Sequence, residues 1–148
     1  TLMTEAVGAD SDNLYLVDMA RGGTRVVSTP RRRASHAAGG FAWLPDSSGF
    51  YFATNAGRDF AALARHDLAS GRTEIVAEAP HDIQNVQLCG GGQYLLWTTN
   101  EDGVFRLHGR DLVRGELLIP PSVPEGVFAL SCPAGSEVAV IHVNGWAT

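Results

Sequence analysis

Phe41-Ala-Trp-Leu-Pro-Asp-Ser-Ser-Gly-Phe-Tyr-Phe-Ala-Thr-Asn55, followed directly by Ala56-Gly-Arg-Asp-Phe-Ala-Ala-Leu-Ala-Arg-His-Asp-Leu-Ala-Ser-Gly-Arg-Thr-Glu-Ile-Val76, is the stretch that decides the fold. It holds four short apolar runs, at 41–43, 50–54, 61–66 and 73–76. The intervening segments, 45–49, 55–59 and 67–72, are rich in Gly, Pro, Asp, Asn and Ser. Short strands punctuated by turn formers predict an antiparallel meander.

The same unit recurs along the chain. Asp67-Leu68-Ala69-Ser70-Gly71 returns as Asp111-Leu112-Val113-Arg114-Gly115 and is preceded by Asp18-Met19-Ala20-Arg21-Gly22. Thr54-Asn55 returns as Thr99-Asn100, and Phe50, Tyr94 and Val138 follow one another at intervals of 44, each opening an apolar run after a turn. A period of about 40–50 residues with four strands per period is the signature of β-propeller blades. The fold class is therefore all-β: a β-propeller fragment of about three and a half four-stranded antiparallel blades. Expected blades cover 1–29 (partial), 36–79, 82–120 and 125–148 (partial), with no catalytic domain in the chain. The outer strand of the third blade is expected over Glu116–Ile119, and the last strand over Glu137–Val143. Trp43, Phe50, Phe52, Leu88, Leu95 and Val138 are expected to be buried between sheets. The 148 residues hold fewer blades than the roughly 4–8 of a closed ring, so the chain reads as a piece of a longer protein. Isolated, it is expected to associate.

Composition narrows the function classes. The net charge is −5, and all eleven basic residues are Arg. An acidic balance argues against a nucleic-acid surface, and the all-Arg usage is read as a coding bias. No apolar run approaches the ~20 residues of a membrane-spanning helix. The expected location is the cytoplasm. Cys89 and Cys132 lie in consecutive copies at neighbouring, not identical, repeat positions, and the expectation is two buried free thiols.

Arg31-Arg32-Arg33 reads as a solvated loop between blades. Gly90-Gly91-Gly92 lacks the helix and the Lys-Ser or Lys-Thr of a phosphate cradle, and reads as a hairpin with positive φ angles. His66-Asp67 and His81-Asp82 are not joined by a third ligand at metal-site spacing. Asp10-Ser11-Asp12-Asn13 imitates the start of a calcium loop, but Leu14, Tyr15 and Arg21 stand where ligands or Gly are needed. No Gly-x-Ser-x-Gly occurs. Asp46 and Asp102 in hairpin turns, and Asp67 and Asp111 at blade corners, read as turn formers. No catalytic, cofactor-binding or metal-binding residue is assigned, and no cofactor is expected.

Trp43-Leu44-Pro45-Asp46-Ser47-Ser48-Gly49-Phe50-Tyr51-Phe52 resembles the W-S-P-D-G element of TolB-like propellers. Thr99-Asn100-Glu101-Asp102-Gly103-Val104-Phe105-Arg106-Leu107, followed by Asp111-Leu112, resembles the N-E-D-G-x-S-R-L stretch in the N-terminal propeller of prolyl oligopeptidase family serine peptidases, in the acylaminoacyl-peptidase and dipeptidyl-aminopeptidase branch. The sequence departs at Phe105, where Ser is common, and at Gly90-Gly91-Gly92, where Pro-Asp-Gly is usual. The resemblance implies a non-catalytic propeller that caps a C-terminal α/β-hydrolase domain of the same polypeptide and restricts substrates to short peptides. None of that domain's Ser, Asp or His lies in this chain. The alternative is a TolB-like propeller serving as a protein-binding scaffold.

Overall fold

A computed structural model describes residues 1–9, 11–29, 37–133 and 136–145. Its thirteen strands form four successive antiparallel sheets. Blade 1 is β1 (Leu2–Gly8), β2 (Ser11–Val17) and β3 (Thr24–Ser28). Blade 2 is β4 (Ala38–Trp43), β5 (Gly49–Thr54), β6 (Ala62–Asp67) and β7 (Thr73–Ala77). Blade 3 is β8 (Asp82–Cys89), β9 (Tyr94–Glu101), β10 (Val104–Asp111) and β11 (Glu116–Leu117). Blade 4 is β12 (Gly126–Ser131) and β13 (Val140–Gly145). Each strand pairs with its sequence neighbour, as in a meander. Among the described residues, no helix is long and apolar enough to cross a membrane.

The repeated Asp-x-x-x-Gly segments build one turn three times. The amides of Gly22, Gly71 and Gly115 donate to the carbonyls of Asp18, Asp67 and Asp111 at 2.9, 2.9 and 2.8 Å. Each glycine has a positive φ, 69°, 69° and 75°, a conformation nearly free of cost only without a Cβ. The carboxylates close the turn from the other side: Arg21 N, Ser70 N and Arg114 N donate to Oδ1 of Asp18, Asp67 and Asp111. These turns lie within five residues, which is why the sequence displays them.

The blades pack face to face. Tyr51, Ala53 and Leu63 of blade 2 meet Ile83, Val86, Leu95 and Trp97 of blade 3. Phe50, Phe52 and Ala64 turn the other way, towards Leu14 of blade 1. Phe105 and Leu107 meet Phe128 and Leu130 of blade 4. Alternate residues of one strand thus serve opposite neighbours, so β5 is buried along its whole length. A full Phe or Leu burial contributes about 1.5–3 kcal/mol.

Several expectations need correction. Phe50, Phe52 and Leu95 are buried, whereas Trp43 and Leu88 are half-buried. Val138 is 66% exposed and precedes the last strand, which starts at Val140. Its amide donates to the Ser136 hydroxyl oxygen at 3.0 Å, so the residue belongs to a turn. The outer strand of blade 3 stops at Leu117; Leu118 N still donates to Gly109 O. Pro120 and Pro121 follow and carry no N–H to continue the ladder.

The two cysteines are not free thiols: Cys89 and Cys132 form a disulfide, with Cα atoms 5.3 Å apart. Residues at the same repeat position face the same way round the stack and cannot meet. Cys132 matches the position of Leu88, whose side chain packs back towards blade 2. Cys89, one residue further on, points the opposite way. The one-residue offset that separates them from identical repeat positions is what brings the sulfurs together.

Candidate functional site

The inner strands of blades 2 and 3 carry the feature that the repeat does not advertise. The β4–β5 ladder slips between Gly39 and Ala42, and the β8–β9 ladder slips between Gln84 and Gln87. The two slips are β-bulges at corresponding places. Gly40 (φ 61°) and Asn85 (φ 50°) occupy the left-handed position in each, the conformation that Gly and Asn tolerate best. A concavity of about 420 Å³ lies between them, lined by Gly39, Gly40, Ile83, Gln84, Asn85 and Gln87 among others.

Asn85, Asp82 and Asp12, in or beside this surface, tie strands and blades together. Asn85 Nδ2 donates to Thr98 Oγ1 at 3.0 Å and to Phe128 O of blade 4 at 3.1 Å. Ala61 N donates to Asp82 Oδ1 at 2.8 Å, and Ile83 N to Ala61 O at 2.9 Å. Ala38 N donates to Asp12 Oδ2 at 3.1 Å, joining blades 1 and 2. Among the described residues, no carboxylate, imidazole or thiol lines the concavity. It presents amide groups and backbone, which can hydrogen-bond a ligand but offer no nucleophile or general base.

The residues singled out in the sequence do not converge. His66 is 3% exposed, packs on Phe50 at 5.2 Å and has Nδ1 2.9 Å from Thr73 Oγ1. Burial pushes its pKa down. His81 lies 6.3 Å from the Phe60 ring in the loop leading to blade 3. His108 stacks on Trp97 at 5.8 Å, binds Thr99 through Nε2 and is likewise shifted down by burial. No group of three or more metal-ligating side chains occurs among the described residues. In the calcium-like segment, Asn13 donates to Glu5 and accepts from Thr29, so it works as a strand tie. Arg31, Arg32, Arg33 and Asp10 lie outside the described residues.

The turn carboxylates are held below the usual carboxylate range by hydrogen bonds. The donors are foremost the Ser48 amide for Asp46, the Ser70 hydroxyl for Asp67 and the Arg114 amide for Asp111. At the other hairpin, Asp102 contributes its backbone (φ 53°), while the side-chain acceptor is Asn100, which takes Gly103 N at 2.9 Å. The triple glycine is a tight turn with φ 57°, 63° and 101°. A Cβ on Gly92 would lie 2.5 Å from Pro45 Cγ of blade 2, so close packing between blades also requires it.

Successive antiparallel meander sheets packed face to face, two of them with the full four strands, have the layout of β-propeller blades. No protein-family model matches the chain, and no curated protein matches it. Solved structures do. TolB from Acinetobacter baumannii superposes with a TM-score of 0.67 at 13% identity, covering 96% of this chain and 39% of that one. A putative TolB from Agrobacterium tumefaciens gives 0.65 at 12%, covering 92% and 46%. A prolyl endopeptidase from a structural and mechanistic study of two such enzymes gives 0.68 at 18%, covering 95% and 21%. The chain therefore has the TolB-like propeller fold, shared with prolyl endopeptidase, and it spans less than half the length of these proteins.

Proposed function

We propose that the chain is the non-catalytic propeller portion of a prolyl oligopeptidase-like serine peptidase, capping the hydrolase site and admitting only short peptides. The observation that carries this reading is the Thr99–Leu107 segment. Its N-E-D-G core forms the two-residue hairpin between β9 and β10, with Glu101 paired to Val104, in a fold that superposes on prolyl endopeptidase. The expected partner is an α/β-hydrolase domain of the same polypeptide. A narrow channel through rigid sheets excludes folded proteins and passes short peptides.

The test is labelling of the intact polypeptide with a fluorophosphonate, followed by mapping of the modified serine. The expected serine lies outside residues 1–148, and a short peptide is cleaved far faster than a folded protein. Modification of a serine within the chain, or equal cleavage of both substrates, overturns the reading. The TolB likenesses at 96% and 92% coverage support a second reading, a protein-binding scaffold, which predicts no labelled serine at all. The Cys89–Cys132 disulfide favours an oxidising compartment over the cytoplasm, and we include that placement in the proposal.

A further inference from the structure

Blades 2 and 3 leave a space of about 50 Å³ between them, lined by Tyr51, Leu63, Leu95 and Arg110 among others. It adjoins an outer groove of about 370 Å³, and the two share Val76, Ala77, Trp97 and Arg110 as walls. Leu117, Leu118 and Pro120 complete the apolar side of the groove.

Arg110 is out of place here. Its repeat counterpart is His66, whose partner across the ladder is Thr73, and the hydroxyl satisfies the ring. In blade 3 the partner across the ladder is Leu117, which offers nothing polar. Arg110 Nε is buried without a hydrogen-bond partner, and no carboxylate lies within ion-pair distance of its guanidinium among the described residues. Glu78 at the groove rim is paired with Arg58. Arg65 approaches from blade 2, and the charges of Arg65 and Arg110 both oppose the upward push that burial gives the Tyr51 hydroxyl. Buried guanidinium N–H groups are ordinarily satisfied, and a carboxylate matches their fork geometry.

We propose that this inter-blade groove binds a small monocarboxylate with an aromatic or aliphatic body, the carboxylate on Arg110 and the body against Trp97, Val76 and Leu118. A mostly apolar concavity with a few convergent polar groups is the usual form of such a site; here Arg110 supplies the cation, while the Glu78 carboxylate on the same wall is taken up by Arg58. One guanidinium at the groove wall suits a single negative charge better than a phosphate dianion.

The test is ¹⁵N NMR of the chain titrated with 4-phenylbutyrate, with 4-phenylbutanamide and inorganic phosphate as controls. The Arg110 Nε–H signal is assigned by its loss in Arg110→Lys, and the Trp97 indole N–H by its loss in Trp97→Phe. Both should shift saturably with phenylbutyrate and stay still with the amide and with phosphate. Arg110→Gln should weaken binding at least about ten-fold. Leu117→Thr, which supplies the hydroxyl present in blade 2 and keeps the cation, should weaken it several-fold and keeps the test valid if Arg110→Gln fails to fold. Equal shifts with the amide, unchanged affinity in Leu117→Thr, or no shift at about 10 mM ligand, a Kd too weak for a built site, would overturn the proposal.

Discussion

Gly40 of β4 and Asn85 of β8 hold the same left-handed bulge in successive blades, and the first nests on the second. A Cβ on Gly40 would lie 3.1 Å from Val86 N and 3.6 Å from Asn85 N. Asn85 then passes the contact on, donating to Phe128 O of blade 4. The inner strands are thus locked blade to blade by backbone packing and one carboxamide.

The bulge should be sensitive to small changes. Gly40→Ala adds left-handed strain of about 1–2 kcal/mol and crowds Val86. Asn85→Asp keeps a residue that tolerates the conformation but removes both donated hydrogen bonds, for a further loss of about 1–3 kcal/mol. Urea unfolding midpoints of the two variants check this. Wild-type stability in Asn85→Asp would show that the Phe128 contact contributes nothing.

The disulfide closes a separation of 43 residues. Chain-entropy arguments give about 4 kcal/mol for a loop of this size. Cys89→Ala with Cys132→Ala should lower stability by that order and loosen blade 4 first, visible as faster amide exchange in β12 and β13. Thiol titration of the denatured, unreduced chain should find no free thiol. Two per molecule would return the cysteines to the reading made from sequence.

Stability should fall in mild acid. His66 and His108 are pushed below their ordinary pKa by burial, while the unfolded imidazole titrates near about 6.5. Between the folded and unfolded values the unfolded chain binds more protons, so stability rises with pH. The contribution of the neutral rings is complete above about pH 6.5 and is lost as pH falls through the folded values. His66→Gln should flatten part of this slope in unfolding measured from pH 8 to pH 5. The lowered carboxylates, Asp46, Asp67 and Asp111, act in a separate window, losing their contribution only as pH drops below the ordinary value near 4. Stability that increases between pH 7 and pH 5.5 would contradict the assignment.

The chain should self-associate. Strand β12 buries Gly126, Phe128 and Leu130 on one face and leaves Val127 39% exposed on the other, the face that also carries Val140, 53% exposed, opposite Ser131 at the far end of the ladder. On blade 1, Met3 and Val26 are 45% and 54% exposed. Open sheet faces and edges recruit neighbours. Light scattering should show mass rising with concentration, and Val127→Lys, which leaves the Phe128 side untouched, should reduce it. A monomer at every concentration would contradict this.

The meander, the blade period and the turn chemistry were all legible in the sequence. Each rests on hydrogen bonds that close within a few residues, so residue type alone reveals them: Asp67 with Ser70 and Gly71, Asn100 with Gly103. What one blade does to the next was decided only by the tertiary structure. Whether Cys89 meets Cys132, whether Arg110 finds an acceptor and whether Val138 is covered depend on which face of a strand a residue occupies. A one-residue shift or a bulge at Gly40 or Asn85 reverses that face, and no count of residue types along the chain records it.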